Sequence, residues 1–313
     1  MLAVIYRRTR GQNPGALPLA GLPLILRQLY WLRESGCQRV AIDPGADEAG
    51  ERVRQFVASH PALARTAVLV RAGERSEPRA IAAAAGFPAG AAILALSDSV
   101  IGHAHLEDLC RKGGDRGVLV GRLAPPSAGG AFPPAEVHLH AAAPGPILEE
   151  DLPGWGTLVE TADTALRLTT KVLLGGLPRL ETRSAPPLLV PGSERSPGVW
   201  VSRGARIQPG AVLVAPVLIG PDALVCSGAR VGPDAVIGAR SIIESGTVVE
   251  HAIVESDTLV GEGLTLRRLL ATPEGIAPLE GAEAVIPLDD PLLITRRRRF
   301  TLRVMTRLLK LPR

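Results

Sequence analysis

Two histidines spaced two apart, His138 and His140 in "EVHLHA", would share one face of a strand, where paired imidazoles could chelate a metal ion. No further ligand is evident beside them, so the plainer expectation is an exposed pair. His103 and His105 follow closely on an aspartate, Asp98, and read as ordinary polar residues of a strand end. The cysteines Cys37, Cys110 and Cys226 lie far apart and form no CxxC pair. That excludes a cysteine zinc site and a disulfide framework, and suits a reducing compartment. A second kind of chemistry sits at the far end. Arg296, Arg299, Arg303, Arg307 and Lys310 recur at helical spacing, so on a helix they fall within about 80° of arc. Phe300, Val304, Leu308 and Leu311 line an adjoining face, widened by Leu302, Met305 and Leu309. Such a basic amphipathic helix can lie on an anionic membrane surface, or dock on the body of its own chain or on a partner subunit. With one aromatic for base stacking and no recognisable module, nucleic acid is not expected as a partner.

These residues need elements to hold them, and the first 180 residues supply a βαβ alternation. "LAVIY" reads as a buried strand. A helix follows in "PLILRQLYWLRESG", opened by Pro23 and closed at Gly36, with Leu26, Leu29, Tyr30 and Trp31 able to pack. "RVAID" and "TAVLV" read as further strands around the helix "GERVRQFVASH". "AAILALSD" then leads into a helical "HLEDLCRKG". The alternation predicts an α/β domain over residues 1–181, with a mostly parallel sheet covered on both faces. Residues 182–198, rich in Pro, Gly and Ser, predict a linker.

Beyond the linker the period changes. Aliphatic residues recur every sixth position at Val201, Ile207, Leu213, Ile219, Val225, Val231, Ile237, Ile243 and Val249. Small residues recur four places later, among them Ala205, Ala211, Ala223, Ala229, Ala235, Ser241 and Thr247. A period of six fits neither a helix nor a simple strand. It resembles the hexapeptide repeats of the left-handed parallel β-helix, in which the aliphatic points inward and the small residue fits a corner. This predicts such a β-helix over 199–270, with the register slipping by one near Ile253 at a bulge or a loop between coils. Residues 271–313 then form a C-terminal extension carrying the basic helix.

Composition agrees with two domains in 313 residues. The chain is 46% hydrophobic but only 3% aromatic, so the cores must be built of Ala, Val, Leu and Ile. Residues 291–313 hold eight Lys and Arg and no acid; with a net charge of +4 overall, the rest of the chain is net acidic. The opening apolar stretch is too short for a signal peptide, and no window of 18 apolar residues predicts a membrane span. A cytoplasmic protein is expected, with the tail able to rest on the inner membrane face.

"LPLAGLPLI", residues 17–25, with its downstream helix and the strand in "GCQRVAI", resembles the sugar-phosphate nucleotidyltransferase family, as do "ILALSDSVIG" and "WGTLVETADTAL". An α/β head joined to hexapeptide repeats resembles that family too. The resemblance implies a Rossmann-like NTP-transferase domain that joins a nucleoside triphosphate to a sugar-1-phosphate or polyol phosphate and releases pyrophosphate. It implies Mg²⁺ as cofactor, held by Asp98 at the end of its apolar strand and by Glu160, where the related pattern usually has Asp. Hard carboxylate oxygens suit that ion, which neutralises charge in phosphoryl transfer. The phosphate-binding loop departs from the pattern. "YRRTRGQ" has one glycine, Gly11, and Pro14 stands where the family has a phosphate-contacting Lys. Arg7, Arg8 and Arg10 are the cations available to the phosphates, with Gly21 in the turn that follows.

Three functional readings stay open on these residues. One is a nucleotidyltransferase, acting as a homo-oligomer, that supplies nucleotide sugars for surface polysaccharide or glycolipid synthesis. Another is a catalytically degenerate relative that binds a nucleotide sugar or a partner enzyme and regulates it. The third is an acyltransferase of the hexapeptide-repeat type, for which His251 is the only histidine in the repeats.

Overall fold

A computed structural model describes residues 1–7, 14–70, 77–113, 116–127, 132–177, 190–280, 286–288, 290 and 292–296. Two compact units divide it. The first comprises residues 1–17, 22–160 and 177–187; the second comprises 18–21, 161–176 and 188–313. The short turn around Ala20 and the helix after Glu160 thus belong with the second unit.

In the first unit the strands β1 (Leu2–Tyr6), β2 (Arg39–Ile42), β3 (Ala67–Leu69) and β4 (Ile93–Ser97) run parallel in the order β4-β1-β2-β3. The chain steps outward from β1 to β2 and β3, then crosses to the other side of β1 to lay down β4. The direction of winding therefore reverses between β1 and β4. β5 (Val100–Ala104) follows at once and pairs with β9 (Gly154–Leu158), antiparallel, as a two-stranded sheet among the described residues. The sheet continues beyond β4 through β7 (Ala135–His140), β6 (Arg116–Leu123) and β8 (Ala143–Asp151), with β7 antiparallel to both neighbours.

Alternation along the strands decides what each face buries. Ala3 and Ile5 of β1, Val40 and Ile42 of β2, and Leu94 and Leu96 of β4 share one core. Ile25, Leu26, Leu29 and Leu32 of helix α1 (Leu24–Glu34) and Val53 and Val57 of α2 (Glu48–Ala58) pack into that core, as does Leu63 of α3 (Pro61–Ala64). Val4, Ala41 and Ile93 face the other way, onto Ile81 and Ala82 of α4 (Pro78–Ala84). The central strands are buried on both faces and read as unbroken apolar runs for that reason. The apolar residues expected to pack in α1 do so, with Tyr30 only half-buried. Two polar residues, Arg27 and Gln28, are buried there as well. Helix α5 (Leu106–Lys112) adds Leu106 and Leu109 to the first core.

The second unit carries the repeats. Val199–Val201, Val217–Ile219, Ala235–Ile237, Ala252–Val254 and Leu269–Thr272 stack in parallel as one face. Arg206–Ile207, Leu224–Val225, Ile242–Ile243 and Thr258–Val260 form a second face. Val212–Leu213, Arg230–Val231, Val248–Glu250 and Thr265–Arg267 form a third. Val199 lies beside Val217 and Val217 beside Ala235, so one coil takes 18 residues, or three hexads. This is a three-faced parallel β-helix. The residues spaced by six meet in a single core, from Val201 through Ile219, Val225, Val231, Ile237 and Ile243 to Val249, with Ile207 and Leu213 partly buried at the first coil. Ala223, Ala229, Ala235, Ser241 and Thr247 are buried in the positions expected of small residues.

The slip near Ile253 is a shortened corner. Ala235 pairs with Ala252, one residue less than the usual step. Gly232, Pro233 and Asp234 separate the inward Val231 from Ala235, whereas only Glu250 and His251 separate Val249 from Ala252. Losing the residue at a corner keeps Val254 and Val260 pointing inward. Helix α6 (Ala162–Leu173) belongs to this unit and packs on the outer side of the first face. The outward residues Leu218, Val236 and Ile253 are accordingly buried and apolar. Trp200 donates its indole N–H to the carbonyl of Leu173 at 3.2 Å, and Thr170 donates to Asp234 at 2.8 Å.

Two expectations change. Residues 182–198 do not all connect: Ser193–Ser196 is a strand, antiparallel to Val199–Val201, because Gly198 at φ +75° permits the tight reversal between them. Residues 178–189 lie outside the described residues. At the far end Arg296, read as the first cation of the helical stripe, ends a strand, Ile294–Arg296, antiparallel to Thr258–Val260. There Ile294 gains burial on the open end of the coil and Arg296 pairs with Glu274. Residues 297–313, which hold the rest of the expected amphipathic helix, lie outside the described residues. No helix of the described residues is long and apolar enough to cross a membrane.

Candidate functional site

The carboxyl ends of β1, β2 and β4 meet where the winding reverses, the place where open α/β sheets leave a crevice. Asp98 is the first residue beyond β4 and is 4% exposed. Its N–H donates to the Tyr6 carbonyl at the end of β1, at 2.8 Å. The turn it begins is held on every side. Ser99 donates its N–H to Ser97 Oγ at 3.2 Å, and the two serine hydroxyls bond to each other at 2.7 Å. Val159 donates its N–H to the Ser99 carbonyl at 2.7 Å. From α1 the Gln28 amide donates to the carbonyls of Ser97 and Val100, at 2.9 and 2.7 Å.

β9 brings the second carboxylate. It pairs antiparallel with β5, Leu158 beside Val100, and the Val159 N–H bond to the Ser99 carbonyl carries the chain past the Asp98 turn to Glu160. Glu160 is exposed at this position. The topology therefore brings Asp98 and Glu160 to one end of the first unit, although they are 62 positions apart in sequence. Among the described residues no group of three or more His, Cys, Asp and Glu side chains stands together as a metal cage. Mg²⁺ completed by substrate phosphate and water needs no more than one or two protein carboxylates.

Arg7 leaves β1 at the same end. Its guanidinium pairs with Asp47 at 2.8 Å and lies over Gly45, in the loop between β2 and α2. Asp47 also caps α2, accepting the Gly50 N–H at 2.8 Å, and Asp43 accepts the Gly45 N–H at 3.0 Å. Arg54 holds the same loop through the Gly45 carbonyl at 2.7 Å. Arg8, Arg10 and Gly11 lie outside the described residues. Gly21 belongs to the second unit, at φ +84°, where a Cβ would stand 2.7 Å from Pro191 Cγ. Its neighbour Ala20 donates its N–H to Thr169 Oγ1 of α6 at 2.9 Å. Arg7, Asp98 and Glu160 thus all lie in the first unit, Arg7 turned onto the loop between β2 and α2, while Gly21 packs within the second.

Sequence reasoning missed Gln28 and Arg27. Both sit in an apolar helical run and gave no signal but their polarity. Burial pushes the Arg27 guanidinium down to about 10, partly offset by Tyr30.

The remaining histidines separate. His138 and His140 lie on one face of β7 with ring centroids 6.2 Å apart, and His138 stands 3.4 Å from Glu136. Burial, then His138 and Arg79, pushes His140 below the usual histidine range. Burial and His105 do the same to His103. In the second unit His251 occupies the shortened corner, its Nδ1 3.1 Å from Asp234.

Residues 216–251 match the family described as bacterial transferase hexapeptide (six repeats). The match is confined to the repeats. No curated protein matches the chain. The matched stretch covers two full coils of the β-helix and supports a transferase relationship of acyl or nucleotidyl type.

Proposed function

We propose that the chain is a sugar-phosphate nucleotidyltransferase-like protein, with a Rossmann-like first unit and a left-handed β-helix as its second. The observation that carries this reading is the convergence of Asp98 and Glu160 at the carboxyl end of the parallel strands, where β1 and β4 part. In it a nucleoside triphosphate enters that end and a sugar-1-phosphate or polyol phosphate attacks its α-phosphorus, releasing pyrophosphate. Asp98 and Glu160 would hold Mg²⁺, which supplies charge neutralisation at the phosphates when bound. Arg7 contributes positive charge beside them. Its pairing with Asp47 fixes the guanidinium in place but spends part of its charge within the protein.

Calorimetry with nucleoside triphosphates, followed by a pyrophosphate-release assay over a panel of sugar phosphates, tests this reading. Binding with Mg²⁺-dependent release supports an enzyme. Binding with no turnover across the panel leaves the regulatory relative, a reading favoured by the scarcity of glycine in the loop after β1. For acyl transfer one observation speaks: the Asp234 carboxylate orients the His251 ring, as a general base requires. Acyl-coenzyme A turnover that His251→Ala abolishes would move the function to the β-helix.

A further inference from the structure

Gln28 is fully buried on α1, between Ile25 and Leu32, in a helix whose other buried side chains, Arg27 apart, are apolar. A glutamine amide has two N–H donors, and both are used on carbonyls that bracket Asp98: Ser97 before it and Val100 after it. The Gln28 Oε1 finds no partner among the described residues. A reversed amide would set that oxygen against two carbonyl oxygens, so the orientation is fixed by chemistry. Leaving a buried acceptor unmet is costly. The residue's contribution therefore lies in its two donors, not in packing.

We infer that Gln28 is the positioning residue of the Asp98 turn, fixing the carboxylate where a metal-bound triphosphate would meet it. The inference rests on the nucleotidyltransferase reading for the ligand, and on the hydrogen bonds for the mechanism. Among the described residues no other side chain bonds to the flanking carbonyls: β1 and β9 grip Asp98 N–H and the Ser99 carbonyl, and α1 grips the two ends. Without the amide, the strands still hold each end of the turn, but no side chain ties the two ends together. A carboxylate held within a few tenths of an ångström binds a metal–phosphate complex better than one that must be ordered on binding.

The test compares the full chain with Gln28→Met, which has the same length and no donors, and with Asp98→Asn. Amide hydrogen exchange over residues 97–101 reads the turn. Mn²⁺ electron paramagnetic resonance, titrated with a nucleoside triphosphate, reads the carboxylate. In Gln28→Met, exchange at 97–101 is expected to quicken roughly tenfold or more for two lost hydrogen bonds, while exchange in the β-helix stays unchanged. Affinity for Mn²⁺–triphosphate is expected to fall by a similar factor, toward that of Asp98→Asn. Unchanged exchange, or a loosened turn with unchanged Mn²⁺ affinity, overturns the inference and leaves the function standing. A parent chain that gives no Mn²⁺–triphosphate signal overturns both. Should Gln28→Met not fold, Gln28→Asn replaces it, because its shorter amide cannot reach both carbonyls at once.

Discussion

Arg7 and Gly45 show how closely single residues are fitted at the carboxyl end of the sheet. A Cβ on Gly45 would stand 1.9 Å from Arg7 Nη1, at a φ of +80° that only glycine adopts freely. Gly45→Ala is therefore expected to cost about 1–2 kcal/mol from the left-handed backbone alone and to displace Arg7 from Asp47. Urea denaturation measures the first effect, and a midpoint equal to that of the parent chain would contradict it. Titration gives another residue-scale prediction. His103 and His140 are held below the ordinary value of 6.5, chiefly by burial. The unfolded chain then takes up protons before the folded one, so these groups stabilise the fold above 6.5 and that contribution is lost as pH falls below it. Thermal melts from pH 7.5 to 5 should show the loss, and it should be smaller in a His103→Gln, His140→Gln double variant. An identical slope in both proteins would assign the acid sensitivity elsewhere. At this scale the sequence was only partly legible. Asp98 and Glu160 could be named only through the resemblance of "ILALSDSVIG" and "WGTLVETADTAL" to a known family, since an acid at a strand end is by itself ordinary. Gln28 could not be, since its role is to reach a turn some 70 residues away in the chain, which no local pattern encodes.

Among the elements, the hexads were the most legible part of the chain, because each inward position repeats one steric requirement eighteen residues further on. Ile243 is fully buried in that stack, whereas Val212 is 47% exposed on an outer face. Ile243→Ala should cost about 2–5 kcal/mol, and Val212→Ala should stay within about 0.5 kcal/mol. Denaturation of the two variants decides whether the period of six reports the core. Equal effects would mean it does not. The outward face was less legible. Leu218, Val236 and Ile253 look like further repeat positions in sequence, and only the packing of α6 explains why they are apolar. The short strand Ser193–Ser196 was hidden in a Pro- and Gly-rich segment because its partner strand, not its own propensity, makes it form.

For the whole molecule, the sequence foretold an α/β part and a β-helix, and the structure divides into two compact units. Helix α6 and the turn at Ala20 join the β-helix unit because the Ala20 N–H, Trp200 and Asp234 all bond to that helix. The basic tail adds a separate property. A chain ending at Arg296 should lose co-sedimentation with anionic vesicles if the cations beyond it bind a membrane surface. Equal binding by the full and shortened chains would discard that role. Whether Asp98 works with a metal and a nucleoside triphosphate is tested by pyrophosphate release from the full chain and from Asp98→Ala. Mg²⁺-dependent release is expected from the parent chain with at least one triphosphate and sugar-phosphate pair, abolished in Asp98→Ala with an unchanged melting profile. Release that survives in Asp98→Ala, or no release from the parent across the panel, would contradict it.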